Sequence, residues 1–148
     1  MITDLQSEIP NDPVTPIPAA TVISLRDTPT GMEVLMVQRT KKADFAGGAL
    51  LFPGGKVDNS DYEVLKLDRC SLPNDVPDNQ KAIRVAGVRE MFEEAGLLFV
   101  RDNGNKQVIS KERAEALNNI YRQDLLSQNI TFHEMIETEN LVVASDLL

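Results

Sequence analysis

Arg89-Glu90-Met91-Phe92-Glu93-Glu94-Ala95-Gly96-Leu97 places three carboxylates, at 90, 93 and 94, within one helical turn and directly before a glycine. On a helix, positions i, i+3 and i+4 share a face, so this spacing predicts that all three acids project into one small volume. The like-charge pair at i and i+4 alone costs about 0.2–0.5 kcal/mol, and the macrodipole at a helix C-terminus adds to the cost. A cation is expected to offset it. Magnesium and similar hard ions take carboxylate oxygens together with substrate phosphates, which makes Glu90, Glu93 and Glu94 candidate metal ligands. The competing reading of these nine residues is a solvated acidic turn with Arg89 paired to Glu93 at i, i+4.

Upstream, the apolar run Ala49–Phe52 leads into Pro53-Gly54-Gly55-Lys56-Val57-Asp58-Asn59-Ser60-Asp61. A Pro-Gly-Gly corner lets backbone come close to a ligand or a neighbouring element, so Gly54 and Gly55 are candidate substrate contacts. Arg39, Lys41 and Lys42 put three positive charges ahead of that corner, suited either to a diphosphate or simply to a solvated loop.

The two segments together resemble the Nudix box: Gly, five residues, Glu, seven residues, then Arg-Glu-apolar-x-Glu-Glu-x-Gly-apolar. Here Gly55 opens the pattern, Asp61 stands where Glu is usual, and 27 residues (62–88) separate it from Arg89. A box split in this way, with Phe-Pro-Gly-Gly before the interval and Arg-Glu-x-Phe-Glu-Glu-Ala-Gly after it, is similar to that of the peroxisomal coenzyme A diphosphatase-like branch. Residues 34–39 resemble that branch's second strand, and 96–101 its strand after the box. The resemblance is strongest over 18–101 and weaker over 107–147.

The resemblance implies an α/β (α+β) fold, a mixed sheet sandwiched between helices, and metal-dependent hydrolysis of a diphosphate bond in a nucleoside diphosphate derivative. It implies Mg2+ or Mn2+ held by Glu90, Glu93, Glu94 and the Gly55 carbonyl. Glu90 would bind metal or help activate water, and Arg89 would orient the carboxylates. Asp61 would have a supporting, structural part. Coenzyme A or acyl-coenzyme A is the first substrate expected, with ADP-ribose, nucleotide sugars and dinucleoside polyphosphates as alternatives. Two readings from other classes stay open: a non-catalytic nucleotide or coenzyme A binder, and an interaction module with an exposed acidic helix.

Composition fits one globular domain, with 42% hydrophobic and 26% charged residues among 148. A net charge of −8 argues against general nucleic-acid affinity, which needs a basic footprint. No apolar run approaches the roughly 20 residues of a membrane helix, and Met1–Leu5 lacks signal-peptide character, so a cytoplasmic protein is expected. Cys70, the only cysteine, has no partner for a disulfide or a metal site.

Four prolines mark residues 1–18 as an extended arm, leaving 19–148 as the domain, with box 55–97, an insertion at about 62–81 and an extra helical pair at about 110–139. Ala19–Leu25 and Met32–Arg39 read as an antiparallel strand pair around a 27–31 turn, with Lys41–Gly48 as a loop. The insertion reads as part short helix, part loop, with Asp78 as N-cap of a helix over 79–95. Val85, Val88, Met91, Phe92 and Ala95 form its sheet-facing side, and Ala82, Ala86 and Gly87 join the acids opposite. Gly96 should end it as a left-handed cap. Leu97–Val100 reads as a strand and 102–105 as a turn. Ser110 caps a helix to about Leu126 with Leu117, Ile120, Tyr121, Leu125 and Leu126 apolar, and Thr131–Glu134 is a capping box. His133 reads as surface or helix-end packing, with a substrate contact as the alternative. Leu141–Ala144 opens a further strand. After the insertion and the helical pair, too few residues remain for a whole sheet, so a C-terminally truncated chain is expected. An open edge of this kind invites aggregation, strand exchange or a homodimer.

Overall fold

The computed structural model describes residues 15–39 and 47–148. Most of the expected arm, and Lys41 and Lys42 with their loop, lie outside them; residues 15–18 are exposed. The element order is β1 (Ala19–Thr21), β2 (Leu25–Thr28), β3 (Gly31–Val34), β4 (Val37–Gln38), β5 (Leu50–Leu51), β6 (Gly54–Lys56), α1 (Asn59–Lys66), α2 (Asp78–Ala95), β7 (Val100–Asp102), α3 (Lys111–Leu126), α4 (Phe132–Thr138), β8 (Leu141–Val143) and a closing 3-10 turn, Ser145–Leu147.

The strands pair as four short antiparallel ladders, β1–β6, β2–β3, β4–β5 and β7–β8. A parallel element enters where the stretch after α1 joins β8: Val143 N–H donates to Arg69 O (2.8 Å) and Ser71 N–H to Val143 O (3.1 Å). The two long N-terminal strands expected from the sequence are each broken in two. The chain leaves β6 after Thr21 and turns back on itself as the β2–β3 hairpin, in which Thr28 faces Gly31. An apolar run shows where a strand can form, but it carries no mark of where the pairing partner changes. For the same reason β7 lies at 100–102, not 97–100; Leu98 is buried without strand pairing.

The core gathers on α2. Val85, Val88 and Phe92 pack with Val64, Val100, Leu117, Phe132, Met135, Ile136, Leu141 and Val143. Burial of each such side chain contributes about 1.5–3 kcal/mol. Ala82, Ala86 and Gly87 on the other side are buried as well, because β1 and the C-terminal turn cover them. A mid-helix glycine costs about 1 kcal/mol relative to alanine. At Gly87 a Cβ would crowd Leu148 Cδ1 at 3.0 Å and Val22 Cγ2 at 3.1 Å, so the missing side chain lets β1 and the C-terminal turn lie close.

Helix ends follow local chemistry, with two corrections. Asp58 caps α1 and forms a reciprocal box with Asp61, so this helix begins inside the box and not in the insertion. Asp78 is the first residue of α2 and not its cap. The Pro77 carbonyl takes the first bonds, from Gln80 and Lys81 N–H. Gly96 is left-handed (φ 70°), Ser110 caps α3, and Thr131 with Glu134 boxes α4. On α3 only Leu117 and Leu125 are buried; Ile120 and Leu126 face solvent, since α3 meets the body along a narrow stripe. Leu25, Met32, Val34, Leu50 and Leu51 on β2, β3 and β5 are also exposed.

Gly54 packs hardest of the glycines against backbone: a Cβ there would sit 2.2 Å from Ala20 O. Gly54→Ala should therefore cost about 1–3 kcal/mol by forcing β1 and β6 apart. Gly104→Ala, in open space at φ 84°, should cost only the left-handed strain of about 1–2 kcal/mol. Urea unfolding of both variants checks the order, and a larger loss at Gly104 would contradict the packing.

Candidate active site

Strand β6 crosses the C-terminal half of α2 because β1 holds it there, in the register Ala19↔Lys56, Ala20↔Gly55 and Thr21↔Gly54. Gly54 N–H donates to Glu94 Oε2 (3.0 Å). Gly55 lies so near Glu90 that a Cβ would stand 2.2 Å from its Oε1. The glycines thus give the acidic turn direct contact with main chain, where any side chain would fill the gap.

Arg89 ties the rest together. Its Nε and Nη2 donate to the two oxygens of Asp61 (2.9 and 3.2 Å), and Nη2 also reaches Lys56 O (2.9 Å). Nη1 donates to Glu90 Oε1 (2.8 Å) and Glu93 Oε2 (3.2 Å). Asp58 Oδ2 stands 3.7 Å from Nε. Asp61 is fully buried and also accepts from Asp58 N–H (2.9 Å), so one carboxylate both caps α1 and anchors the arginine. Burial works against the Arg89 charge, but Asp61, Glu93 and Glu90 outweigh it and hold the guanidinium pKa above its ordinary value. Burial likewise pushes the Asp61 carboxyl up, with Arg89 acting in the other direction.

The three acids leave one helical turn and take different partners. Arg89 takes Glu90 and Glu93, and the Gly54 amide takes Glu94. Among the described residues no three His, Cys, Asp or Glu side chains stand grouped to hold a metal ion. The donors themselves suit a hard cation: carboxylate oxygens beside a glycine main chain. Glu93 is moreover short of positive charge. Its carboxyl is raised to about 7 by burial above all, with Arg89 lowering it and Glu90 and Asp58 adding to the rise.

Helix α3 supplies a second cation. Arg122 Nε donates to Glu93 O (3.0 Å) and its Nη2 to Glu94 O (3.1 Å), capping the carbonyls at the negative end of α2. No sequence signal marks this contact. Lys56, also passed over, lines a cavity of about 640 Å³ with Arg39, Leu51, Gly54, Gly55 and Glu94. The α1 cap at Asp58 was readable from its Asp-x-x-Asp spacing. His133 packs a helix end: its N–H donates to Ser60 Oγ (3.1 Å), and Nδ1 lies 2.9 Å from Thr131 Oγ1. Cys70 Sγ is 3.0 Å from Ser145 Oγ.

No family model matches the chain. A crystal structure of a Nudix hydrolase from Alicyclobacillus acidocaldarius is similar with a TM-score of 0.57 at 30% identity, over 90% of this chain and 59% of that one. The chain is similar to Nudix hydrolases in sequence and in fold. A Caenorhabditis elegans protein carrying the name nudix hydrolase 7 is 26% identical over 121 residues, 79% of this chain and 36% of that protein. The acyl-coenzyme A diphosphatase NUDT19 of Xenopus laevis is 31% identical over 97 residues, 46% of this chain and 25% of its own. That of Gallus gallus is 32% identical over 104 residues, 51% and 28% respectively. The chain therefore spans between a quarter and just over a third of the length of these curated relatives.

Between its ordinary value of 4.5 and about 7, folded Glu93 holds a proton that the unfolded chain has released. Stability of the metal-free protein should then fall as pH rises through this window, by no more than about 1 kcal/mol per pH unit. Thermal melts from pH 5 to 8 should show the decline, and Glu93→Gln should flatten it. A wild-type profile that rises across the window would contradict the desolvated carboxylate.

Proposed function

We propose that the chain hydrolyses a diphosphate bond in a nucleoside diphosphate derivative, with coenzyme A or acyl-coenzyme A as first substrate and Mg2+ or Mn2+ as cofactor. The observation that carries the reading is the acidic turn of α2, pinned by Arg89 and laid against the glycines of β6. Likeness to two proteins named acyl-coenzyme A diphosphatases supports the substrate class. ADP-ribose and nucleotide sugars are the next substrates to compare.

Glu93, Glu94 and Glu90 would hold the metal with the Gly55 carbonyl. When bound, the ion supplies a lowered pKa to attacking water and neutralises charge developing on the phosphoryl oxygens. Arg89 keeps Glu90 and Glu93 in register with β6. Glu90, between Arg89 and Gly55, would bind metal or accept a proton from water. Asp61 positions Arg89. Gly54 and Gly55 present main chain to the substrate, and Arg39 with Lys56 offers charge to its phosphates.

Residues 19–148 form the Nudix domain in this reading, with 110–139 as an added helical pair. A small nucleotide is the partner, with no nucleic acid or membrane. Among the described residues no helix is long and apolar enough to cross a membrane, and we place the protein in the cytoplasm. The exposed apolar residues of β2, β3 and β5 favour a homodimer.

Turnover of coenzyme A, acyl-coenzyme A, ADP-ribose and a dinucleoside polyphosphate with each metal tests the activity. Metal-dependent release of 3′,5′-ADP is expected, and Glu94→Gln should reduce it at least roughly 100-fold, as loss of a metal-site residue does. Near-parental turnover in the variant would overturn the assignment. The pairing of all three acids with protein donors favours a second reading, a non-catalytic binder. Its signature would be metal-linked heat of ligand binding in calorimetry with no turnover.

A further inference from the structure

Two cavities flank the acidic turn, and their chemistry differs. On the Glu94 side, the cavity of about 640 Å³ carries Arg39 and Lys56. On the Glu93 side lies one of about 360 Å³, between the start of α1 and the turn joining α3 to α4. Its walls include Ser60, Leu126, Gln128, Ile130 and Thr131: hydroxyl, amide and aliphatic groups. Among the described residues the one cation lining it, Arg89, is already spent on Asp61, Glu90 and Glu93. Leu126 is 51% exposed and belongs to no core, so burial does not explain an apolar residue there.

Resting on the activity proposed above, we propose that the Glu93-side cavity is the subsite for the uncharged, amide-bearing aliphatic arm of the substrate, while the phosphorylated nucleoside occupies the Arg39 and Lys56 side. A diphosphate held at the acidic turn would then have one half in each cavity. The arm matches its walls: methylene groups against Leu126 and Ile130, amides against Ser60, Gln128 and Thr131. Strongly anionic groups do not match, because Glu93 and Asp58 line the same space. In this arrangement the α3–α4 pair sets specificity, and the box sets chemistry.

The two products separate the halves without relying on turnover. Calorimetry with Mn2+ would measure 4′-phosphopantetheine and 3′,5′-ADP against wild type, Leu126→Trp and Lys56→Gln. Both substitutions fall on exposed side chains, and matched thermal melts verify folding. Leu126→Trp should weaken phosphopantetheine about tenfold, the scale of a lost apolar pocket contact, and leave 3′,5′-ADP unchanged. Lys56→Gln should do the reverse. If wild type binds both products and Leu126→Trp weakens both equally or neither, this subsite is wrong while the coenzyme A reading stands. If wild type binds neither, the coenzyme A reading fails and the subsite with it.

Discussion

The Arg89 guanidinium is the group on which three separate pieces of the molecule depend. It joins α2 to the buried Asp61 of α1, to the Lys56 carbonyl of β6, and to two carboxylates of its own helix. A buried charge is tolerable only when its hydrogen bonds are nearly all made, and loss of one partner costs about 3–5 kcal/mol. Arg89 meets that condition with donors directed at five acceptors. The planar fork matters because a lysine could place one charge but not span Asp61 and the Glu90–Glu93 pair together. The arrangement also explains how Asp can stand where a longer acid is usual. Asp61 sits on a helix start fixed by Asp58, so α1 itself brings the shorter carboxylate up to the arginine.

Helix α2 is buried along its middle, with Asp78–Gln80 and Glu94 exposed at its two ends. An 18-residue helix covered by α1, β1, β6 and α3 gives a stiff base for side chains that repel each other. The repulsion is met from two directions. Arg89 acts along the helix face, and Arg122 acts at the terminus, where unpaired carbonyls and the macrodipole would otherwise add to the negative charge. The second contact joins the α3–α4 pair to the box mechanically, through the backbone of Glu93 and Glu94 themselves.

How much of this was legible depends on how local each signal is. The acidic turn, the Gly96 cap, the Ser110 cap and the Thr131–Glu134 box are written within a few residues, and each stands where the sequence places it. The breaks in the strands are not local. Thr21 and Leu25 belong to different ladders because their partners, β6 and β3, lie in different parts of the chain. The partners that the three carboxylates take were hidden for the same reason. Helical spacing fixes where side chains start, but the Gly54 amide 40 residues upstream decides where Glu94 ends. Ile120 and Leu126 fit an apolar face by period yet find no neighbour to cover them, since periodicity gives an orientation and not a partner.

Charge balance then constrains the chemistry at this end of α2. Asp58, Asp61, Glu90, Glu93 and Glu94 bring five carboxylates to this end, against the guanidinium groups of Arg89 and Arg122 and, on the Glu94 side, Arg39 and Lys56. A polyanionic ligand approaching such a surface meets net repulsion, as it does on the acidic chain as a whole. Recognition of a diphosphate by hydrogen bonds alone would leave that repulsion standing. A divalent cation bound together with the ligand removes it from both sides, satisfying carboxylates and phosphates with one charge. The glycines make this geometrically open, because between β6 and Glu90 there is main chain and no side chain to displace. In the proposed reading, metal dependence of binding would follow from the local excess of carboxylates, before any question of how water is activated.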